Sequence, residues 1–439
     1  MSRGFRPKSR SSSTPRALLK DQLNLEHPLV KLSQAIDWDA FEQEFGKQTS
    51  SEGGRPALPR RLMVGLHYLK ALYDESDESV VAKWVENPYW QYFCGEETFQ
   101  HEFPCHPTSL AKWRQRVGVD GVEKLLKQVL RTAMNQQALK PSEIATVNVD
   151  TTVQEKMIAF PTDARLYDKA RRALVRVARK HQVKLRQSYV RLGKQALFLQ
   201  SRYAAARQGN RAKQQTRKLR TYLGRVMRDI ERKVKQLPQD LQALLEIAKR
   251  IHQQQPQDTG KLYSVHAPET ECIAKGKVHK RYEFGCKVVL VTTHLSNWIV
   301  GMDAVHGNPY DGATLREALT QTQHLTATKP KQVVVDKGFR GATHYPADVE
   351  VVVAGTRKLT RTLKRLLKRR SAIEPVIGHT IARPCPQAQL LERKKRRPHE
   401  CLSSWLWLQF AEAISLLFNG SSDLSSDDRL SAVFQGRPN

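Results

Sequence analysis

The sequence predicts a mixed α/β protein that has an all-helical N-terminal domain and a long basic helical insertion within its α/β part. Three observations predict this class. Apolar residues recur at three- and four-residue spacing through residues 22–138, as in helices. β-Branched runs, which are typical of strands, begin only after residue 143. A very basic stretch with a helical pattern, residues 161–255, separates the first of these runs from the others. A sheet covered by helices accounts for this order.

Composition points to an anionic partner. The 439 residues are enough for two or three domains, and their net charge is +30. A nucleic acid is the expected partner, because Lys and Arg that neutralise phosphates release counterions. An anionic membrane surface is the alternative. The sequence has no charge-free apolar run of spanning length, and residues 1–21 predict a basic disordered arm rather than a secretory signal.

Cysteine spacing predicts neither a disulfide framework nor a zinc site. The six cysteines are widely scattered and no CxxC motif occurs. Cys94, Cys105 and His106 are close in sequence, but their spacing fits no common metal site. We expect free thiols and a cytoplasmic protein.

The N-terminal domain, residues 22–138, is predicted to consist of short helices joined by tight turns. The segment "SLAKWRQRVG" within it is a candidate recognition helix of a helix-turn-helix, which would bind DNA. Three tryptophans are expected in the core of this domain rather than in base stacking: Trp84, Trp90 and Trp113.

The first predicted strand is followed by the basic insertion. "EIATVNVDTTV" places Asp150 near the end of that strand. Residues 161–240 contain 23 Lys and Arg but only 5 acidic residues, and "RQGNRAK" predicts a turn between two long arms. We therefore expect a helical hairpin at 161–255. With so few acids to pair with the bases, contact with a phosphate backbone is favoured over a merely solvated charged face.

The β pattern returns from residue 283. "EFGCKVVLVTTH" and "WIVGMDAVHG" predict adjacent strands, and "DGATLREALTQTQHL" predicts a helix that Asp311 would cap. "KQVVVDKGFRG" predicts a buried strand that ends at Asp336. A further strand, "VEVVVAG", precedes a helix or helix pair that carries Glu374.

Three carboxylates stand out in this basic chain: Asp150, Asp336 and Glu374. Taken singly, each has an ordinary explanation, because Asp favours strand ends and turns and Glu is common in helices. Together, carboxylates that converge at strand ends can hold two Mg²⁺ or Mn²⁺ ions and promote attack on a phosphodiester. No constellation of His and Cys competes with these hard oxygen ligands.

Four motifs resemble those of a known family: "VNVDTTV", "HAPETECIAKGKVHKRYEFGCKV", "VVVDKGFRG" and "KRRSAIEPVIGH". They are similar to the motifs of DDE transposases of bacterial insertion sequences, in the insertion-sequence-five group. The N-terminal "HPLVKL" and "GRPALPRRLMVGLHYLKALYDESDESVVAKW" also resemble that group, so the similarity covers about residues 25–379.

The resemblance implies a ribonuclease-H-like catalytic domain over residues 143–380, interrupted by the insertion. It implies that Asp150, Asp336 and Glu374 are catalytic residues that hold the metal ions. It also implies DNA contacts by a set of basic residues: Lys275, Lys277, Lys280, Arg281, Lys337, Arg340 and Arg370. The expected partner is double-stranded DNA, both terminal inverted repeats and target DNA, bound by a homodimer in the bacterial nucleoid.

The match ends after His379. The family's signature has a tyrosine seven residues before the glutamate and a lysine seven after it, where this chain has Leu367 and Ile381. Residues 389–401 can be encoded so that a one-nucleotide shift of frame gives a segment like the family's usual continuation. We hypothesise a frameshift near codon 379 or 380, so that residues 381–439 form a divergent, partly disordered tail.

Three hypotheses about function remain from the sequence. The first is a transposase that cleaves and joins DNA at the ends of its element. The second is a catalytically impaired, DNA-binding remnant of such an enzyme. The third, an RNA-binding structural protein, rests on charge alone.

Overall fold

The computed structural model describes residues 17–46, 58–73, 75–156, 158–234, 236, 238–274, 281–356 and 360–382. Lys275, Lys277 and Lys280, and the tail from residue 383, therefore lie outside the described residues. The described part confirms a mixed α/β protein with one mixed sheet. No helix in it is long and apolar enough to cross a membrane.

The N-terminal part is helical. Its bounds are α1 Leu19–Gln22, α2 Pro28–Ala35, α3 Trp38–Gly46, α4 Arg60–Leu72, α5 Asp77–Glu86, α6 Pro88–Phe93, α7 Thr108–Asn135 and α8 Pro141–Ile144. The three tryptophans expected in the core, Trp84, Trp90 and Trp113, are buried there. The candidate recognition helix forms the first part of α7 and ends at Gly118, whose φ of 64° interrupts the helix.

The candidate recognition helix buries one of its two arginines. Arg114 donates two hydrogen bonds to the Asp77 carboxylate, at 2.9 Å and 2.6 Å, and Lys70 donates another at 2.9 Å. The buried His67 imidazole lies 3.3 Å from Arg114. Arg114 therefore stabilises the helical core, and a DNA contact from this helix would have to come from its exposed residues.

The sheet has six strands: β1 Thr146–Glu155, β2 Glu271–Ala274, β3 Tyr282–Thr293, β4 Ile299–Val305, β5 Gln332–Val335 and β6 Glu350–Val353. The path β2-β3-β1-β5-β6 runs across it, and β4 also pairs with β3. β1 pairs antiparallel with β3 and parallel with β5. β3 is antiparallel to β4, and β5 is parallel to β6. The adjacent pair β3 and β4 was predicted, whereas β2 was not.

Helices cover both faces of the sheet. α13, Leu315–Thr326, follows a 3₁₀ turn at Asp311–Thr314. Its apolar residues join the valines of β1 and β5 and the N-terminal helices in one continuous core. On the opposite face, Ile373 and Val376 pack against Val288 and Leu290 of β3. They belong to α15, Ile373–Ala382, which follows α14, Arg361–Arg370; the helix pair is thus confirmed.

The insertion has more helices than the sequence pattern indicated. It contains α9 Asp163–Lys180, α10 Val190–Ala205, α11 Gly209–Lys233 and α12 Gln239–Gln253. The predicted turn lies between α10 and α11, but the predicted two-arm hairpin is wrong, because a break at residues 181–189 and a fourth helix are also present. The four helices bury an apolar core of their own. A two-helix hairpin could not have covered the apolar stripes of α9 and α11.

A buried histidine makes the stability of the helical N-terminal part depend on pH. Burial, reinforced by the charge of Arg114, lowers the pKa of His67 to about 3. In the unfolded chain an imidazole has a pKa of about 6.5, so only the unfolded state takes up this proton between those values. The contribution is therefore present above about pH 6.5 and is lost as the pH falls towards 3.

We predict that the free energy of unfolding falls more steeply between about pH 6.5 and pH 4 in the unmodified protein than in His67→Asn. The difference in slope should approach about 1.4 kcal/mol per pH unit, the value expected when the unfolded state binds one proton more than the folded state. Urea denaturation followed by tryptophan fluorescence at several pH values measures it. Equal pH dependence of the two proteins would contradict the assignment.

Candidate functional site

Asp150 and Asp336 lie side by side because of strand register. Val149 of β1 pairs with Val335 of the parallel strand β5, and each aspartate is the next residue of its chain. Both valines point into the core shared with the N-terminal helices. Since side chains alternate along a strand, Asp150 points to the opposite face, which α15 covers. The structure thus brings together two of the three predicted carboxylates.

The Asp150 carboxylate is held in a partly buried position. The backbone N–H of Thr151 donates to its Oδ1 at 2.8 Å, and Arg370 Nη1 donates to its Oδ2 at 3.3 Å. Burial is the main cause that raises the pKa of Asp150 to about 6. The negative charges of Asp336 and Asp311 act in the same direction, and the Thr151 hydrogen bond and Arg370 oppose them. A carboxyl with negative neighbours gains from a nearby cation.

Asp336 directly follows the last residue of β5 and precedes a turn. Its side chain accepts a hydrogen bond from the backbone N–H of Gly338 at 2.7 Å, within the 3₁₀ turn Lys337–Phe339. A methyl group on Gly338 would lie 3.0 Å from Asp336 Oδ1 and 2.8 Å from Asp311 Oδ2. The absence of a side chain at Gly338 therefore lets the two carboxylates approach the same point.

Asp311 has a different role from the helix cap that was predicted from the sequence. It was expected to cap its helix, but its side chain makes no capping hydrogen bond. Instead its Oδ1 accepts from Thr151 Oγ1 at 3.0 Å and pairs with Lys287 Nζ at 2.5 Å. Lys287 is nearly buried and also donates to the Pro309 carbonyl at 2.6 Å. A helix-initiating Asp looks the same in either role, so the sequence held no signal for this one.

Glu374 is near the pair of aspartates but does not join them. Arg370 lies between, with Nη2 3.6 Å from Glu374 Oε1, and the Glu374 side chain is 65% exposed. Arg369 fixes this arrangement by donating to the carbonyls of His294 at 3.4 Å and Leu295 at 2.5 Å, which ties α14 to the turn between β3 and β4. Arg370 thus pairs with two carboxylates of the site.

The other predicted DNA contacts are exposed basic residues near the ends of strands. Arg281 lies just before β3, with its guanidinium 5.4 Å from the Tyr282 ring. Lys337 and Arg340 flank the turn after Asp336, where Arg340 donates to the Gly355 carbonyl at 3.2 Å. The described residues that were expected to contact DNA are therefore available to a partner at this edge of the sheet.

The donor chemistry suits a hard divalent cation, although the side chains are not gathered around one point. Asp150, Asp336 and Asp311 supply carboxylate oxygens, the ligands that Mg²⁺ and Mn²⁺ prefer. Across the described residues, no three His, Cys, Asp or Glu side chains lie close enough together to hold a metal ion. Cys94 is a buried free thiol, as expected.

Comparison with known proteins finds similarity to a transposase domain and to a bacterial relative. Residues 17–116 match the family model described as "Transposase domain (DUF772)". The curated "Uncharacterized protein ORF8 in nfe locus" of Rhizobium meliloti is 51% identical over 204 residues, which are 46% of this chain and 98% of the relative. The chain therefore belongs to the same family as the Rhizobium meliloti protein, and its residues 17–116 are similar to a transposase domain. No solved structure matches it.

The segment that matches the transposase domain shares its apolar core with the sheet. The matched residues, 17–116, include α1 to α6 and the first turns of α7. The apolar residues of α7 pack together with those of α13 and with the valines of β1 and β5 in one apolar cluster. The segment that matches the transposase domain therefore packs directly against the part of the chain that carries the aspartates.

The pair Lys287–Asp311 should contribute to stability as a coupled unit. We predict that Lys287→Met and Asp311→Asn each lower the free energy of unfolding, and that a double-mutant cycle gives a coupling of about 1–3 kcal/mol. The reason is that either single change leaves one partly buried charge without its partner. Urea denaturation of the four proteins measures the coupling, and additivity within about 0.5 kcal/mol would show that the pair is not coupled.

Proposed function

We propose that the protein is a DDE-type transposase, which binds the terminal inverted repeats of its element and catalyses metal-dependent DNA cleavage and strand transfer. The observation that carries the proposal is the juxtaposition of Asp150 and Asp336 on adjacent parallel strands. The order of the strands supports the proposal as well. Strands β4, β3 and β1 are antiparallel neighbours, and β5 and β6 run parallel to β1. This arrangement agrees with the ribonuclease-H-like catalytic domain that the sequence motifs implied.

The proposed cofactor is a pair of Mg²⁺ or Mn²⁺ ions. Asp150 and Asp336 would hold them together with Glu374, and Asp311 is a fourth candidate. When bound, such ions activate the attacking oxygen and stabilise the leaving oxygen of a phosphodiester. Glu374 must first separate from Arg370, and its exposed position on α15 leaves its side chain room to turn. Arg370 would then be free to bind a DNA phosphate.

The chain's own residues would prepare the site for DNA. Thr151 and Gly338 orient the carboxylates of Asp150 and Asp336 through backbone N–H groups. Lys287 offsets the charge of Asp311 without entering the space between the aspartates. Arg281, Lys337, Arg340 and Arg370 would position the phosphate backbone, with Lys275, Lys277 and Lys280 as further proposed contacts. A homodimer on double-stranded DNA, in the bacterial nucleoid, is the proposed assembly.

A second candidate is a DNA-binding remnant that no longer cleaves. The observation in its favour is that Glu374 pairs with Arg370, outside any three-ligand group. The two candidates share DNA binding and differ in cleavage.

Asp336→Asn should abolish cleavage while leaving DNA binding intact. We expect the unmodified protein to nick a duplex that carries the repeats flanking its gene, with Mg²⁺ or Mn²⁺ but not with a chelator. Loss of one metal-binding carboxylate should slow the reaction by about 100-fold or more, comparable to the loss of a major transition-state contact. Gel analysis of nicked product measures the rate.

The matched control is Asp348→Asn, which removes an exposed carboxylate that pairs with Lys329 on the surface. It should cleave at the normal rate. Mn²⁺ binding by calorimetry, without DNA, provides an independent measurement that should be lost in Asp150→Asn and Asp336→Asn. Binding without nicking by the unmodified protein identifies the remnant, and the absence of both overturns the proposal.

A further inference from the structure

An arginine-lined groove lies on the insertion, away from the carboxylates. It has a volume of about 720 Å³ and runs between the segment that joins α9 to α10 and the C-terminal half of α11. Its walls are formed by Arg186, Gln187, Tyr189, Arg225, Arg228, Asp229, Glu231 and Arg232. Four of these eight residues are arginines, so the groove is a concentrated positive surface.

The wall of the groove is held in place by a buried carboxylate. Asp229 of α11 accepts the backbone N–H of Arg186 at 2.7 Å and pairs with Lys233 at 3.2 Å. Lys233 in turn donates to the carbonyl of Lys184 at 2.6 Å. These bonds fix residues 184–186 along α11 without a ligand. The groove is therefore formed before anything binds, which lowers the entropic cost of binding.

Its positive charge is only partly neutralised from within, because Arg232 is the groove arginine that pairs with Asp229, at 3.4 Å. Glu231 is engaged by Lys249 at 2.6 Å, and Asp229 by the contacts above. Within the ranges that the structure describes, Arg186, Arg225 and Arg228 have no carboxylate at ion-pair distance. Arg225, Arg228 and Arg232 lie at i, i+3 and i+7, on one exposed face of α11. An external anion can therefore reach several guanidinium groups at once.

The aromatic ring of Tyr189, in the groove, is already covered by other side chains. Tyr222 stacks on Tyr189 with ring centres 4.6 Å apart and planes 11° apart. Arg225 donates to the Tyr189 hydroxyl at 3.3 Å and lies 6.0 Å from the ring centre. Single-stranded nucleic acids depend on free aromatic faces on which bases stack. Tyr189 offers little such surface, so the groove favours phosphate contact over base contact.

We propose that this groove binds the phosphate backbone of double-stranded DNA, as an anchor separate from the carboxylate site. Guanidinium groups bind phosphate oxygens in bidentate fashion and remain charged at all physiological pH values. The proposal rests on the proposed function, since it takes the partner to be the DNA on which the protein acts. It adds that the insertion holds DNA through a built groove and not through diffuse charge attraction.

The test is a salt titration of DNA binding by the full chain. A fluorescently labelled duplex of arbitrary sequence is used in the presence of a chelator, so that cleavage plays no part. The combined variant Arg186→Gln, Arg225→Gln and Arg228→Gln should bind about 10- to 100-fold more weakly at low salt. The slope of log affinity against log salt should fall by about 1 for each lost phosphate contact, that is, by about 3.

The matched control removes the same charge elsewhere on the insertion, through Arg202→Gln, Arg207→Gln and Arg211→Gln at the turn between α10 and α11. We expect it to lower the slope by much less than the groove variant. Replacing the three groove arginines by lysine should restore most of the slope, since the charge returns. Arg228→Gln alone, at an exposed position, should lower the slope by about 1 if the triple variant fails to fold.

The outcomes separate the inference from the proposed function. If the unmodified protein binds no duplex, the proposed function fails. If it binds, but the groove and control variants lose equal affinity and slope, the groove proposal is overturned and the charge acts diffusely. A preference for a single strand of the same length in competition would also overturn it. A selective loss in the groove variant supports it.

Discussion

The structure depends on the parallel pairing of β1 with β5. β1 lies between the antiparallel and the parallel parts of the sheet. Its register with β5 therefore determines which side chains of the two strands become neighbours. The pairing of Val149 with Val335 places Asp150 next to Asp336, although 186 residues separate them in sequence. A slip of β5 by one residue would turn the side chains of that strand to the opposite face and would separate Asp336 from Asp150. The valines that bury one face of the sheet therefore also determine which way the two carboxylates point.

The two faces of the sheet contribute different groups to this end. Asp311 reaches the aspartates from the face that α13 covers and is held by Lys287 and Thr151. The side chains of Lys287 and Thr151 point to the same face of the sheet as the buried valines of their strands. Arg370 and Glu374 reach it from the side of α14 and α15. The carboxylates thus lie between a nearly buried lysine and an arginine. This distribution of charge stabilises a group of acids that would otherwise repel one another.

The chain contains two apolar cores with separate roles. One joins the N-terminal helices to the sheet, so the segment matched by the transposase family is continuous with the part that carries the aspartates. The other lies within the insertion and supports the exposed arginines of α11. An anchor on a separately packed body suits a DNA-binding surface, because its geometry does not depend on the state of the carboxylates.

The sequence by itself determined the helical N-terminal part, the strand that carries Asp150, the strand that leads into Asp336, the helix pair with Glu374 and the basic character of the insertion. The prediction that Asp150 lies near the end of its strand is wrong, because β1 continues to Glu155 and Asp150 lies in its middle. These follow from local periodicity and from composition, which are properties of neighbouring residues. Only the tertiary structure decided the role of Asp311, the burial of Arg114, the strand β2 and the four helices of the insertion. Each of these depends on contacts outside its own segment, such as Lys287 for Asp311 or Asp77 for Arg114. Strand register and long-range ion pairs have no signature in a local pattern, and so the fold had to bring the residues together before their roles could be recognised.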